Sequence, residues 1–179
     1  MIILLTAFLV IIGIIFLFTS KTLSPIPYFP SNAKDMPYIL KGLNLRNDQT
    51  IIDLGAGDGT IIIAAADEAL KKNLNVEFVG SEINPILYLV LLIRKWLHPS
   101  RNRIHILFGD MFKRDFSPYL KLKHTTWFYY ISPAFIPPVT AMIKKLVQKP
   151  KIVTYFYPIK EAKEKQLIQG INKTFVYEL

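Results

Sequence analysis

The chain contains no cysteine, so disulfides, thiolate metal sites and a cysteine nucleophile are all excluded, and redox chemistry says nothing about its compartment. Charge is absent from its start: every Lys, Arg, Asp and Glu lies after Ser20. Two phosphate-binding signatures are also missing. The only glycine-rich stretch has Thr60 where a G-x-G-x-x-G fingerprint needs glycine, and it lacks the Lys-Ser/Thr pair of a P-loop. The histidines, His98, His105 and His124, fall in a helix end, a strand and a loop with no ligand spacing, so surface or structural roles are expected of them. Nothing resembles a Ser-His-Asp set.

What is present divides sharply at residue 20. Met1 to Phe18 reads MIILLTAFLVIIGIIFLF, interrupted only by Thr6 and Gly13. Such a run just reaches across a hydrocarbon core of about 30 Å, and a small soluble domain has no use for a helix that is apolar all round. Residues 1–20 are therefore expected to form a transmembrane anchor contacting the lipid bilayer. A cleaved signal peptide is the weaker alternative, because no basic residue precedes the run and TSKTLS is a poor cleavage site. Lys21, Lys34, Lys41 and Arg46 follow the segment, so the positive-inside rule places the rest of a single-pass chain in the cytoplasm. The net charge of +9 suits an anionic partner such as a lipid surface or nucleic acid, although solubility alone explains it equally well.

Residues 21–44 read as a proline-rich connector and a short helix. Pro25, Pro27 and Pro30 oppose helix and central strand, while Ser31 or Asn32 caps a helix that stops at Gly42. Residues 45–179 form one domain, in which β-branched runs alternate with helical ones. Strands are expected at Thr50–Leu54, Val76–Ser81, Arg103–Phe108, Thr125–Ile131, Lys151–Tyr157 and Thr174–Tyr177. Helices are expected at Thr60–Leu70, Pro85–Leu97 and Val139–Val147. This order argues an α/β fold with a parallel sheet covered by helices on both faces.

The chemistry concentrates in IIDLGAGDGT. A strand ends at Leu54, and Gly55, Gly57 and Gly59 let the backbone approach a ligand closely before a helix whose N-terminus offers free N–H groups. Asp53, just before the loop, would repel a pyrophosphate but suits the amino group and sulfonium of S-adenosylmethionine. The next strand ends in Glu82, whose carboxylate can hold both hydroxyls of a ribose. The third ends at Asp110, placed to receive an adenine amine. The fourth runs into Tyr130, Ser132 and Pro133, expected to floor a substrate pocket where aromatic rings face a lysine stem or fill core. Ser132-Pro133-Ala134-Phe135 lacks the Asn or Asp that would take the hydrogens of a base amine, which demotes a nucleic-acid substrate.

D-L-G-A-G-D-G at 53–59, E-I-N-P at 82–85 and D-M-F at 110–112, with P-Y-F-P at 27–30, W-F-Y-Y-I-S-P at 127–133 and V-T-Y-F-Y-P at 153–158, carry a resemblance. They are similar to the motifs of class I S-adenosylmethionine-dependent methyltransferases with a Rossmann-like sheet. More narrowly, they resemble the small membrane-anchored protein lysine methyltransferases of mitochondria and their prokaryotic relatives. The resemblance implies S-adenosyl-L-methionine as cofactor, held by Asp53, Gly55, Ala56, Gly57, Gly59, Glu82, Asn84, Asp110 and Met111. It also implies Tyr28 and Pro30 near the site of methyl transfer and a lysine on a membrane protein as acceptor. Methylation of a lipid, quinone or nucleic acid, or a non-catalytic cofactor-binding role, remain alternatives.

Overall fold

Residues 2–19 and 26–179 are described by a computed structural model. The apolar start forms helix α1 (Ile2–Thr19), and its described side chains, including Ile3, Phe8, Ile11 and Ile15, are exposed. Among the described residues no helix is long and apolar enough to cross a membrane. At about 1.5 Å per residue α1 reaches about 27 Å, short of a core of about 30 Å. The spanning segment expected over residues 1–20 is thus a shorter helix. Met1 and Ser20, and the first connector residues Lys21 to Pro25, lie outside the described residues.

From Pro27 to Pro30 the backbone is extended, as the prolines require. Asn32 caps a 3₁₀ turn, its side chain accepting from the Lys34 amide at 3.0 Å. Helix α2 (Met36–Leu43) follows, with Pro37 in its first turn, where a missing N–H costs nothing. Gly42 does not stop this helix. It lies inside it because a Cβ there would meet Thr174 Cγ2 at 3.0 Å, and the stop is Asn44, in the left-handed conformation at φ 50°.

Strand β1 (Gln49–Leu54) leads into α3 (Thr60–Lys71), β2 (Val76–Glu82), α4 (Pro85–Leu97), β3 (Ile104–Phe108), β4 (His124–Tyr129), α5 (Ile136–Leu146), β5 (Lys151–Tyr155), β6 (Gln166–Gln169) and β7 (Lys173–Glu178). The sheet order is β3-β2-β1-β4-β5-β7-β6. The first five strands are parallel, but β7 runs antiparallel to both β5 and β6, so the sheet is mixed rather than wholly parallel. The three residues between β6 and β7 are too few for a crossover and force a hairpin.

The sheet separates two apolar layers, one against α2, α3 and α4 and the other against α5. Ile51, Phe78 and Phe128 alternate with Ile52, Val79 and Trp127 along the central strands, so each parallel strand is buried on both faces. Register sets Leu54 beside Ser81 and Tyr129, and Glu82 beside Phe108, bringing these strand ends to one edge. Ligands of open α/β sheets bind at that carboxyl edge, where the order turns from β2-β1 to β4.

Candidate functional site

A cavity of about 270 Å³ opens at this edge. Its walls include Asp53, Gly55, Ala56, Gly57, Glu82, Asp110 and Met111 from the loops after β1, β2 and β3, with Tyr130 from the end of β4. Tyr28 and Pro30 from the extended connector close its near side. Of the residues singled out from sequence, Gly59, Asn84, Ser132 and Pro133 are absent from the wall. Gly59, at φ 80°, lies against Leu91 of α4, where any side chain would collide. Asn84 caps α4, accepting from the Ile86 and Leu87 amides at 3.0 and 3.3 Å. After Ile131 the chain turns into a 3₁₀ helix at Pro133–Phe135, so Phe135 rather than Ser132 or Pro133 reaches the cavity.

The glycine loop is held from below by strand geometry and from the side by a carboxylate. The Gly55 and Ala56 amides both donate to the Ser81 carbonyl at 2.9 and 3.0 Å, extending the β1–β2 ladder into the turn. Glu82 Oε2 accepts from the Gly57 amide at 2.7 Å, and Oε1 from the Asn84 amide at 2.7 Å. Each oxygen keeps a further lone pair for a ligand hydroxyl. Gly57 has φ 58°, and a Cβ on it would lie 2.7 Å from Tyr28 Cε2, so glycine is required twice over.

The electrostatics are those of a site waiting for positive charge. Asp53 is buried, and burial first, then the charges of Glu82 and Asp58, push its carboxyl well above the usual range. Burial also raises Glu82, against the lowering pull of the Asn84, Gly57 and Ile83 backbone hydrogen bonds. Two buried carboxylates with raised affinity for protons, side by side in a cleft, mark a functional site rather than a stabilising one. Ser81 Oγ, on the same wall, has no hydrogen-bond partner among the described residues. The orphaned hydroxyl, the glycine cradle and the carboxylates fit a polar, cationic, ribose-bearing ligand.

Sequence reasoning missed the second layer. Asp58 accepts from the Thr60 amide and hydroxyl at 3.1 and 2.8 Å, and pairs with Arg94 of α4 at 2.8 Å. Tyr28 donates to Asp58, while burial, followed by the Asp58 charge, raises its phenol. The chain entering the cavity is fixed in turn by Asp35, whose buried carboxylate accepts from the Tyr155 hydroxyl and the Ile171 and Asn172 amides at 2.7, 2.6 and 2.9 Å. No local pattern announces a pairing over 36 residues or over 137. The histidines make structural contacts: His98 with Asp67 and the Ser100 amide, and His105 with Glu77.

Among solved structures, an RNA methyltransferase from Salinibacter ruber bound to S-adenosyl-L-homocysteine is similar to this chain with a TM-score of 0.72. It is 18% identical, over 84% of this chain and 93% of that one. The fold is that of the class I S-adenosylmethionine-dependent methyltransferases. In sequence, this methyltransferase fold is similar to an ATP synthase lysine N-methyltransferase of Xenopus laevis, 33% identical over 94 residues, 52% of this chain and 38% of that protein. It is also similar to a protein-lysine N-methyltransferase of Saccharolobus islandicus, 34% identical over 93 residues, 51% of this chain and 55% of that protein. The chain thus matches little more than half, or less, of the length of these curated relatives. No family model matches it.

Proposed function

We propose that this chain is an S-adenosylmethionine-dependent methyltransferase whose acceptor is a lysine side chain on a membrane-associated protein. The observation that carries the reading is the pair of buried carboxylates, Asp53 and Glu82, beside a glycine cradle in a methyltransferase fold. Asp53 would face the amino acid part of the cofactor, Glu82 the ribose hydroxyls, and Asp110 with Met111 the adenine. Gly55, Ala56 and Gly57 would let the backbone close on it. Gly59 and Asn84 belong to the same machinery indirectly, by seating α4 and its first turn.

When bound, the cofactor supplies a methyl carbon on a sulfonium; the amine nitrogen forms a bond to it as the carbon–sulfur bond breaks, and the ammonium then loses a proton to water. What the protein contributes is alignment and dryness. Tyr28, packed on Gly57 and donating to Asp58, fixes the wall beside the cradle. Phe29, Phe112, Phe135 and Tyr130 make the remaining wall aromatic, suited to the aliphatic stem of lysine. A lysine drawn among these rings loses hydration, which favours its neutral, nucleophilic form. No dedicated base is needed for an amine already neutral.

The lysine acceptor is supported by the names of the curated relatives in Xenopus laevis and Saccharolobus islandicus. The membrane setting is supported by α1, an uncharged helix with exposed apolar side chains, which a modest local thinning of the bilayer would let span. In this reading residues 1–20 are the anchor, 21–44 the connector and 45–179 the catalytic domain, held on the cytoplasmic side. The test is to incubate the full chain, isotopically labelled donor and native membranes, then separate protein, lipid and nucleic acid. Label in protein, released on hydrolysis as methyllysine, is expected. Label confined to lipid or RNA would overturn the acceptor while leaving the cofactor assignment standing.

A further inference from the structure

We infer that the outer face of α4 lies in the headgroup layer of an anionic bilayer, forming a membrane contact beside α1. The inference rests on the reading of α1 as membrane-embedded. Helix α4 reads PILYLVLLIRKWL, yet only Leu87 and Leu91 are buried against the sheet. Leu89, Ile93, Trp96 and Leu97 are 55, 52, 61 and 81% exposed. Their spacing of i, i+4, i+7 and i+8 puts them on one stripe, so the helix is apolar on both its inner and outer sides. A soluble surface rarely carries such a stripe without a partner.

The occupant follows from position and charge. Helix α1 passes alongside α4, and the stripe stays exposed with α1 in place. Two neighbouring helices therefore present continuous apolar surface, one of them without any charge. At the C-terminal end of α4 come Lys95, Arg101 and Arg103, cations on a chain of net charge +9 that suit anionic headgroups. Trp96 has the amphipathic ring favoured where hydrocarbon meets water. Arg94, by contrast, turns inward to Asp58 and leaves the stripe uninterrupted. At the other end, Tyr88 of α4 packs on Phe108 at a centroid distance of 4.9 Å, just before the Gly109–Phe112 segment that rims the cavity. A domain lying on this face would hold the cavity mouth close to the lipid–water boundary, within reach of a juxtamembrane lysine.

The two tryptophans make the contact measurable, since Trp96 is exposed and Trp127 is fully buried. The full chain is reconstituted into vesicles of phosphatidylcholine and phosphatidylglycerol, floated, and excited at tryptophan. Lipids brominated near the headgroup should quench Trp96 and iodide in the water should not, while Trp96→Phe should remove the quenchable component. Ile93→Asp with Leu97→Asp should still float through α1 and bind S-adenosylmethionine normally, but quenching by brominated lipid should fall to the level seen without bromine. A floating chain whose Trp96 is quenched by iodide and untouched by bromine would overturn the inference. So would a Trp96 shielded from both, which would mean that a second copy covers the stripe. A chain that fails to float would overturn the reading of α1 and this inference together.

Discussion

Glu82→Gln separates function from stability. The carboxylate is 6% exposed and accepts backbone N–H groups at 2.7 Å on each oxygen, from Gly57 and Asn84. Burial nonetheless leaves its affinity for a proton above normal, so in the free protein these bonds do not fully offset the loss of hydration. The glutamine isostere removes the buried charge and keeps one oxygen acceptor, at the cost of turning an NH₂ toward a backbone donor. These effects oppose each other, and the melting temperature of the free protein should change little. Cofactor binding has no such compensation. A charge-assisted hydrogen bond to a ribose hydroxyl is worth about 1.5–3 kcal/mol, so losing one should weaken S-adenosylmethionine binding by about 10- to 150-fold. Calorimetry on the folded variant, paired with thermal melts with and without cofactor, measures both quantities. Unchanged affinity alongside a large loss of stability would mean that Glu82 serves only to hold the Gly57 loop, and the ribose assignment would fail.

Other consequences follow from neighbouring residues. A cationic amino group beside Asp53 favours its ionised form, whereas the free protein holds its carboxyl well above the usual range. Binding should therefore release a proton, and affinity should fall as pH drops through the free-state titration of Asp53; calorimetry in buffers of different ionisation enthalpy would show no proton release if the assignment is wrong. Gly57→Ala forces a side chain at φ 58° and 2.7 Å from Tyr28 Cε2, so it should cost about 1–2 kcal/mol in melts and displace Tyr28 from the cavity wall. Asp35→Ala leaves the Tyr155 hydroxyl and the Ile171 and Asn172 amides without their acceptor and should destabilise by about 3 kcal/mol or more. Burial raises the Asp35 carboxyl, but those hydrogen bonds outweigh it and the group lies below its ordinary range. Its contribution is thus present above that range and lost as pH falls through the lower folded value, and Asp35→Asn should flatten the acid limb of a pH–stability curve.

The elements most legible in the sequence are those whose signals are local. Helix α4 begins at Pro85 and ends at Leu97 as expected, because Asn84 caps it and proline suits its first position. Strand β6 went unread: only Ile168 of its four residues is buried, too little alternation to register. The glycine loop and the three carboxylates reach the cavity because each sits at the end of a strand, a position that parallel register brings to one edge. Ser132 and Pro133 do not, because the chain turns one step earlier than an extended reading supposes. Tyr28 over Gly57, Arg94 on Asp58 and Asp35 under the β6–β7 hairpin are contacts between distant segments, invisible to any window of sequence.

The central claim is methyl transfer from S-adenosylmethionine to a lysine amine at the cavity bounded by Asp53, Glu82 and Tyr130. The most direct test combines the full chain in vesicles with membrane proteins and a deuteriomethyl donor, followed by mass spectrometry of the proteolysed products. Lysine residues near a membrane boundary should gain deuteriomethyl groups with the native chain and far fewer with Glu82→Gln. Deuterium absent from every lysine, although the donor binds with ordinary affinity, would contradict the account.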